Sequence, residues 1–250
     1  MRKIVVPISG GKDSQACLKL ALQEYRPEEV LGLFCDTQFE HPKTYLHIEH
    51  LKELYGVTIQ RVCAGSVVDK VRKYRRFPES SIRFCTDELK IRISRDFYKY
   101  FAALNGPFEV WYGVRTEESA QRAKRYAGKV ADEVYAPHEF MPSKYPKYLQ
   151  KMGVMFRLPI VNWHRDDVLE YLEGMHNPLY DEGFDRVGCF PCLASGDKWK
   201  EKAFSHDEFG KSQRIIIMQL EKELGKSIWT SKTCQLKYDA DGPGCLMCSI

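Results

Sequence analysis

The sequence predicts an α/β protein built on a Rossmann-like parallel sheet with helices on both faces. Its 250 residues, 44% of them hydrophobic, can bury one large core. In the first half of the chain, short apolar runs alternate with segments of helical periodicity. Strands separated by helices are joined by right-handed crossovers and lie parallel, so that ligands bind at their carboxyl ends.

Each element of the first half follows from a local pattern. A buried strand is predicted over 4–8, a glycine-rich loop follows it, and helical spacing begins at residue 15. Pro42 opens a second helix that ends near Gly56. Thr86, with two acidic residues behind it, predicts the N-cap of a third helix that ends at Asn105. Further strands are predicted over 30–35, 57–63 and 108–114.

The second half has a weaker pattern. Residues 137–151 are rich in Pro, Lys and Tyr without a clear period, which predicts a long loop or flap. Periodicity then predicts a strand over 156–161, a helix over 166–172, and a helix over 212–224 that stops at Gly225. We therefore expect an α/β domain over residues 1–165 and a cysteine-rich segment over 166–250 that packs on it.

Composition excludes several classes of protein. Lys and Arg number 38 against 34 Asp and Glu, and a formal charge of +4 is too small to diagnose nucleic-acid binding. No apolar stretch approaches the roughly 20 residues that span a bilayer. The first residues lack a signal-peptide pattern, so we expect no membrane partner and a cytoplasmic location. Nine cysteines, an odd number, favour thiols and metal ligands over a disulfide framework.

A six-residue loop after the first strand has the composition of a phosphate-binding site. The phosphate loop, as we name it, consists of Ser9, Gly10, Gly11, Lys12, Asp13 and Ser14. Its glycines let backbone N–H groups face an anion, the helix N-terminus adds partial positive charge, and the serines add hydroxyl donors. The spacing matches neither the Walker nor the G-x-G-x-x-G pattern. A glycine-rich turn with a capping serine is the alternative interpretation.

Two C-x2-C pairs mark the second part of the chain. Cys189 pairs with Cys192, and Cys245 pairs with Cys248. Four thiolates suit either zinc or an iron–sulfur cluster, and the spacing does not distinguish the two. The interval between the pairs is longer than that of a usual zinc ribbon.

Four segments together resemble one known superfamily. Ser-Gly-Gly-Lys-Asp-Ser after a first strand resembles the pyrophosphate loop (PP-loop) of the ATP α-hydrolases. The other segments resemble the branch that contains phosphoadenylylsulfate (PAPS) reductases and DNA-phosphorothioation sulfurtransferases. They are Asp-Thr-Gln-Phe-Glu-His-Pro-Lys-Thr-Tyr from Asp36, Gly-Val-Arg-Thr-Glu-Glu-Ser from Gly113 with Arg122 after it, and a signature from Leu158 through Asn-Pro-Leu-Tyr at 177–180 to Gly-Cys-Phe-Pro-Cys at 188–192.

This resemblance implies a domain that binds ATP or an adenylylsulfate-type nucleotide and cleaves it at the α-phosphate. Lys12, Asp13 and Arg115 would be the catalytic residues, with Mg²⁺ held at Asp13, because a carboxylate is a ligand that this ion prefers. Nucleotide binding would fall to the phosphate loop with Asp36, Gly113, Arg115 and Arg122. The alternative for Asp36 is a role in a turn or helix cap, and for the two arginines it is a solvated surface pair.

The resemblance also implies metal ligation. In some reductase relatives, a cysteine element in the region of Cys85 joins the later C-x2-C pair in ligating a [4Fe-4S] cluster. Cys85, Cys189 and Cys192 are therefore expected ligands, with Cys245 or Cys248 as the fourth. Zinc is the alternative metal, and reduced thiols without a metal are the alternative to both.

Three functions compete. The first is an ATP pyrophosphatase that adenylates an acceptor for sulfur transfer, and a nucleic acid is one candidate acceptor. The second is a PAPS or adenylylsulfate reductase, although the Glu-Cys-Gly-x-His segment of those reductases does not occur in this sequence. The third is a metal-stabilised binding module with a vestigial nucleotide site. We also expect a protein that donates sulfur or electrons as a partner, and a homo-oligomer.

Two basic segments bear on the acceptor. Lysines and arginines crowd residues 70–76, and lysines alternate with Tyr145 and Tyr148 over 144–151. Such segments place phosphate contacts beside stacking rings and predict local contact with a nucleic acid. Solvated loops are the alternative interpretation for both segments.

Overall fold

A six-stranded sheet lies at the centre of the molecule. The structure is a computed structural model, and it describes residues 3–79 and 82–229. The strands are β1 (Ile4–Ile8), β2 (Val30–Asp36), β3 (Thr58–Cys63), β4 (Phe108–Trp111), β5 (Val134–Tyr135) and β6 (Val154–Arg157). Their order is β3-β2-β1-β4-β6-β5, and all neighbours are parallel except β5 and β6. The predicted α/β fold with a parallel sheet is confirmed.

Helices of very different lengths connect and flank the strands. The α-helices are α1 (Lys12–Glu24), α2 (Pro42–Tyr55), α3 (Val67–Tyr74), α4 (Phe84–Thr86), α5 (Ile93–Asn105), α6 (Ala120–Arg125), α7 (Pro137–Phe140), α8 (Tyr148–Lys151), α9 (Arg165–Leu172), α10 (Asp197–His206) and α11 (Glu208–Leu224). A π-helical turn, Asp87–Arg92, joins α4 to α5. No helix among the described residues is long and apolar enough to cross a membrane.

Both faces of the sheet are covered, as predicted. Alternate residues of a strand point to opposite faces, so β1 contributes Ile4 and Val6 to one core and Val5 to another. The first core contains apolar side chains of α1, α2 and α9, and the second contains those of α5 and of the segment after residue 137. The central strands therefore read as continuous apolar runs, which is typical of parallel sheets buried on both faces.

A third core lies beyond the edge of the sheet. It joins Val67 and Val71 of α3 to Ile217 and Leu220 of α11. Residues 166–229 thus pack on the first part of the chain through α9 at the sheet and through α11 at this core. The division into two domains at residue 165 stays a prediction.

Several predicted boundaries differ from the structure. Helix α1 begins at Lys12, so that half of the phosphate loop belongs to its first turn. The predicted cap at Thr86 is wrong, because this residue is itself helical (φ −64°, ψ −41°) and caps nothing with its side chain. The acidic residues behind it form ion pairs instead: Asp87 with Lys144 and Glu88 with Lys73.

The predicted flap over 137–151 is also wrong. This segment contains the short helices α7 and α8 and packs against the sheet, with Tyr145 and Leu149 buried. Two separate helical turns have no common period, which explains why the pattern suggested an irregular loop. The ring of Tyr145 also meets the ring of Phe156 on β6, with centroids 5.1 Å apart.

Burial of this segment predicts a large loss of stability on truncation. Leu149→Ala should lower the free energy of unfolding by about 2–5 kcal/mol, because a fully buried leucine leaves a cavity. The adjacent Tyr148 is 38% exposed, so Tyr148→Ala should cost less than about 1 kcal/mol. Chemical denaturation of both variants measures the difference, and equal stabilities would show that the segment does not pack on the sheet.

Candidate functional site

The phosphate loop turns sharply between β1 and α1. Gly10 has a positive φ of 73°, and a Cβ on this residue would lie 2.5 Å from Cγ2 of Thr44. Only glycine satisfies both the conformation and the space. Gly11 precedes α1 and provides no side-chain cap, so the amino-terminal N–H groups of the helix face the loop.

Hydrogen bonds of the two loop serines stabilise this turn. The Ser14 hydroxyl donates to the Gly11 carbonyl oxygen over 2.8 Å, and its oxygen accepts from the Ser9 N–H over 3.2 Å. The Gly11 N–H in turn donates to Oγ of Ser9 over 3.3 Å. The loop is therefore held in this conformation by its own serines.

One carboxylate lies between two cations at the base of the loop. Asp13 accepts from Nε of Arg115 over 2.6 Å with one oxygen and lies 3.2 Å from Nζ of Lys12 with the other. Lys12 and Arg115 are only 3% and 4% exposed. Burial lowers the pKa of Lys12, and the charge of Asp13 opposes that effect only in part. Two buried cations thus lie beside a helix N-terminus, paired with Asp13 and, at Arg115, with Glu117.

The two arginines of the Gly-x-Arg segment occupy different elements. Arg115 precedes a 3₁₀ turn, Thr116–Glu118, whereas Arg122 lies on α6 and is about one-third exposed. Glu118 joins them, because it accepts from the Arg115 backbone N–H over 3.0 Å and pairs with the Arg122 guanidinium. The alternative of a solvated surface pair is therefore wrong for Arg115.

Gly113 brings the β4 loop against the phosphate loop. A Cβ on Gly113 would lie 2.5 Å from the Asp13 carbonyl oxygen and 2.9 Å from the Ser14 nitrogen. This contact places the start of the Gly-x-Arg segment directly on the first turn of α1. The side chain of Arg115 can then reach Asp13 from two residues further along.

Asp36 ends β2 at the same edge of the sheet, and its carboxylate accepts hydrogen bonds from neighbouring residues. It accepts from the Gln38 N–H, the Tyr45 hydroxyl and Nε of Arg61, each over 2.8 Å. Burial raises the pKa of Asp36, but these hydrogen bonds outweigh burial and hold the pKa below its usual range. The geometry matches the turn role that the sequence offered as an alternative.

Two residues that the sequence analysis did not single out clamp the phosphate loop. Asn177 is fully buried, and its Nδ2 donates to the Gly10 carbonyl oxygen over 3.1 Å. The Tyr180 hydroxyl accepts from the Lys12 N–H over 3.1 Å. Both belong to the Asn-Pro-Leu-Tyr segment, so its place in the resemblance was the signal that could have identified them.

A cavity of about 170 Å³ opens beside Ser9, at the carboxyl ends of β1 and β2. Its wall is mostly apolar and includes Cys35, Glu40, Lys90 and Tyr112. Burial raises the pKa of the Cys35 thiol to about 11. This is the edge of the sheet at which the parallel topology places a ligand.

The candidate thiol ligands lie next to this cavity. Cys189 pairs with Glu40 as an isolated β-bridge, and its Sγ lies 3.2 Å from Oγ1 of Thr37. The charges of Cys189 and Cys192 raise the pKa of Lys90, and the effect of Cys189 exceeds the opposing effect of burial. Burial, followed by the charge of Cys192, raises the pKa of Cys85.

No metal centre is formed among residues 3–79 and 82–229. Within those ranges, no group of three His, Cys, Asp or Glu side chains is arranged to hold a metal ion. Cys245 and Cys248, the candidates for the fourth ligand, lie outside the described residues.

The basic segments are largely neutralised by carboxylates. Lys70 and Lys73 both pair with Glu88, and Lys144 pairs with Asp87. Tyr145 is buried, and its hydroxyl forms a hydrogen bond with that of Tyr112 over 3.0 Å. Its ring is therefore not available for stacking on a base. The stacking role predicted for Tyr145 is therefore wrong.

The parallel sheet and the phosphate loop between β1 and α1 define an α/β protein of the PP-loop superfamily. The model of one family, the phosphoadenosine phosphosulfate reductase domain, matches residues 3–195. The chain belongs to this family.

The chain is also similar to individual proteins and to a solved structure. An uncharacterized protein of Methanocaldococcus jannaschii is 29% identical over 198 residues, which are 77% of this chain and 36% of that protein. Phosphoadenosine 5'-phosphosulfate reductase of Cronobacter sakazakii is 25% identical over 191 residues, 74% of this chain and 68% of the reductase. A phosphate complex of Candida auris PAPS reductase shares the fold, with a TM-score of 0.51, 17% identity, and coverage of 76% and 83%. The chain spans about a third of the length of the first relative.

The close approach at Gly113 predicts a specific defect. Gly113→Ala should weaken nucleotide binding by about tenfold or more, because the added Cβ pushes the Asp13 backbone away from its position. Gly196→Ala is the matched control, since Gly196 has a φ of −65° and a Cβ there meets nothing within 4 Å. Calorimetric titration with ATP measures both, and equal affinities would contradict the packing described above.

Proposed function

We propose that the chain is an ATP pyrophosphatase that adenylates an acceptor for sulfur transfer. The observation that carries this proposal is the position of Asp13, whose carboxylate lies between Lys12 and Arg115 in the first turn of α1. Cleavage at the α-phosphate releases pyrophosphate, a leaving group whose charge needs both cations and a metal ion.

The residues at the loop fit Mg²⁺. One carboxylate together with phosphate oxygens is the usual set of protein-bound Mg²⁺ ligands, and the Asp13 side chain is partly exposed. Its two oxygens face Arg115 and Lys12 in this structure, so the ion would share the carboxylate with these cations. Bound there, the ion would neutralise charge on the leaving pyrophosphate. Lys12 and Arg115 act in the same direction from buried positions, where electrostatic stabilisation is stronger than in water.

The cavity beside Ser9 suits the adenosine part of the nucleotide. Its apolar wall, between β2 and the π-helical turn, matches the face of a purine ring, and Ser9 connects it to the phosphate loop. In this arrangement the α-phosphate lies between the cavity and the loop. Lys90 and Glu40, which also line this cavity, would then lie beside the bound nucleotide.

We further propose that Cys85, Cys189 and Cys192 ligate a [4Fe-4S] cluster, with zinc as the alternative. Three thiols provide the soft donors that such a metal centre requires. Lys90 supports the proposal, because its charge offsets that of neighbouring thiolates. The described side chains are not gathered around one point, so ligation has to draw them together.

A reductase that uses PAPS or adenylylsulfate is the second candidate. The family model and the curated reductases of 24–25% identity favour it. The two functions differ in substrate, because the first releases pyrophosphate from ATP and the second releases sulfite from an adenylylsulfate. A binding module with a vestigial site would release neither.

Asp13→Asn should reduce release of pyrophosphate from ATP by at least about 100-fold, because the amide loses the charge that holds Mg²⁺. The fold should persist, since the amide oxygen still accepts from Arg115. Asp132→Asn is the control, because the side chain of Asp132 is 95% exposed and lies outside the site. A coupled assay for pyrophosphate, with Mg²⁺ titration, measures the effect.

Two outcomes would contradict the proposed function. One is unchanged pyrophosphate release in Asp13→Asn. The other is sulfite release from an adenylylsulfate by the unsubstituted chain supplied with a dithiol as the two-electron reductant, without cleavage of ATP, which would establish the reductase.

The cluster proposal predicts colour. Protein purified without oxygen should be brown, with about four irons per chain, and Cys189→Ala or Cys192→Ala should bleach it. Cys63→Ser is the control, because Cys63 is exposed at the end of β3. Separate replacement of Cys245 and Cys248 identifies the fourth ligand. A colourless anaerobic preparation with one tightly bound zinc would reject the cluster.

A further inference from the structure

The hydroxyl group of Tyr180 reaches the phosphate loop from a segment that is distant in sequence. Its oxygen accepts from the Lys12 N–H over 3.1 Å, and its ring lies 5.3 Å from Nζ of the same lysine. Asn177, three residues earlier, holds the Gly10 carbonyl oxygen and thereby fixes the segment to the loop. Tyr180 is therefore positioned by two hydrogen bonds to the loop backbone, its own to Lys12 and that of Asn177 to Gly10.

The hydrogen bonds of this hydroxyl are incomplete. Burial raises the pKa of Tyr180, and backbone hydrogen bonds with Lys12 and Val187 lower it in part, which is the effect of bonds that the oxygen accepts. A neutral phenol also has one proton to donate. Among residues 3–79 and 82–229, the Tyr180 hydroxyl accepts from the Lys12 N–H but forms no hydrogen bond in which it donates this proton.

The Tyr180 hydroxyl lies close to the Ser9 hydroxyl of the phosphate loop. A Cβ built on Gly11 would lie 3.1 Å from the Tyr180 oxygen and 3.3 Å from Oγ of Ser9. Both hydroxyls therefore flank the same side of Gly11, next to the N-terminus of α1. An anion bound at that N-terminus meets the two hydroxyls together.

We propose that Tyr180 binds the nucleotide directly, by donating its O–H to a phosphate oxygen in the loop. The inference rests on the proposed function for the identity of the ligand, a nucleoside triphosphate or its pyrophosphate product. The phenol stays neutral and so adds a donor without adding a negative charge beside the phosphate. The carboxyl-terminal part of the chain thus contributes a binding residue to the site that the amino-terminal part builds.

Removing the hydroxyl tests the proposal. Tyr180→Phe should weaken binding of inorganic pyrophosphate and of ATP by about tenfold or more, the value of a hydrogen bond to a charged group. Binding of adenosine, which has no phosphate, should not change. Tyr171→Phe is the matched control, because its hydroxyl is also buried and has no partner within the described part of the chain. Calorimetric titration of each ligand measures the affinities.

A second variant separates donation to phosphate from support of the loop. Replacing Tyr180 with 3-fluorotyrosine makes the hydroxyl a stronger donor and a weaker acceptor. Tighter binding of pyrophosphate supports donation to the ligand. Weaker binding would overturn the proposal, since the oxygen would then matter only as the acceptor of the Lys12 N–H.

The remaining outcomes separate this inference from the proposed function. Unchanged pyrophosphate affinity in Tyr180→Phe, or no binding of pyrophosphate by the unsubstituted chain, would overturn the inference. If Tyr180→Phe binds pyrophosphate more weakly but the unsubstituted chain does not cleave ATP, the inference stands and the proposed function fails.

Discussion

The arrangement of the site depends on the contact between Asp13 and the loop after β4. The Asp13 backbone lies so close to Gly113 that no Cβ fits between them, and its carboxylate receives the Arg115 guanidinium. A buried guanidinium is costly unless it is paired and hydrogen-bonded. Asp13 provides that partner and Glu117 provides a second one, so the cation can stay inside the protein next to the helix N-terminus. The first turn of α1 and the Gly-x-Arg segment are consequently fixed to each other.

The carboxyl-terminal part completes this arrangement. Asn177 and Tyr180 bind the Gly10 carbonyl oxygen and the Lys12 N–H, so the loop is held by this segment as well as by the β4 segment. The side chain of Asn177 is itself held, because its Oδ1 accepts from the Leu179 N–H over 3.1 Å. A loop with two adjacent glycines has large conformational freedom in the unfolded chain. Contacts from both parts of the chain select the conformation with a positive φ at Gly10.

The sequence was sufficient for features that neighbouring residues determine. The phosphate loop, the β-α-β order and the placement of Asp36 at a strand end follow from short segments and from the topology of parallel sheets. Long-range partners could not be predicted, because the contact of Tyr180 with Lys12 spans 168 positions and results from packing. The same cause explains the error at Thr86. The acidic residues behind it match a capping pattern, yet tertiary ion pairs engage their side chains.

Glu40 connects the cavity to Cys189, one of the candidate thiol ligands. Glu40 lines the cavity, and its backbone pairs with that of Cys189 in the isolated β-bridge. The next residue continues the contact, because the Phe190 N–H donates to the Phe39 carbonyl oxygen over 2.6 Å. Burial raises the pKa of Glu40, so a negative charge on this carboxyl group is disfavoured beside thiols that also resist ionisation. Lys90 is a cation close enough to interact electrostatically with Glu40 and Cys189. The charges of Cys189, Glu40 and Lys90 are therefore coupled to one another beside the cavity that Glu40 and Lys90 line.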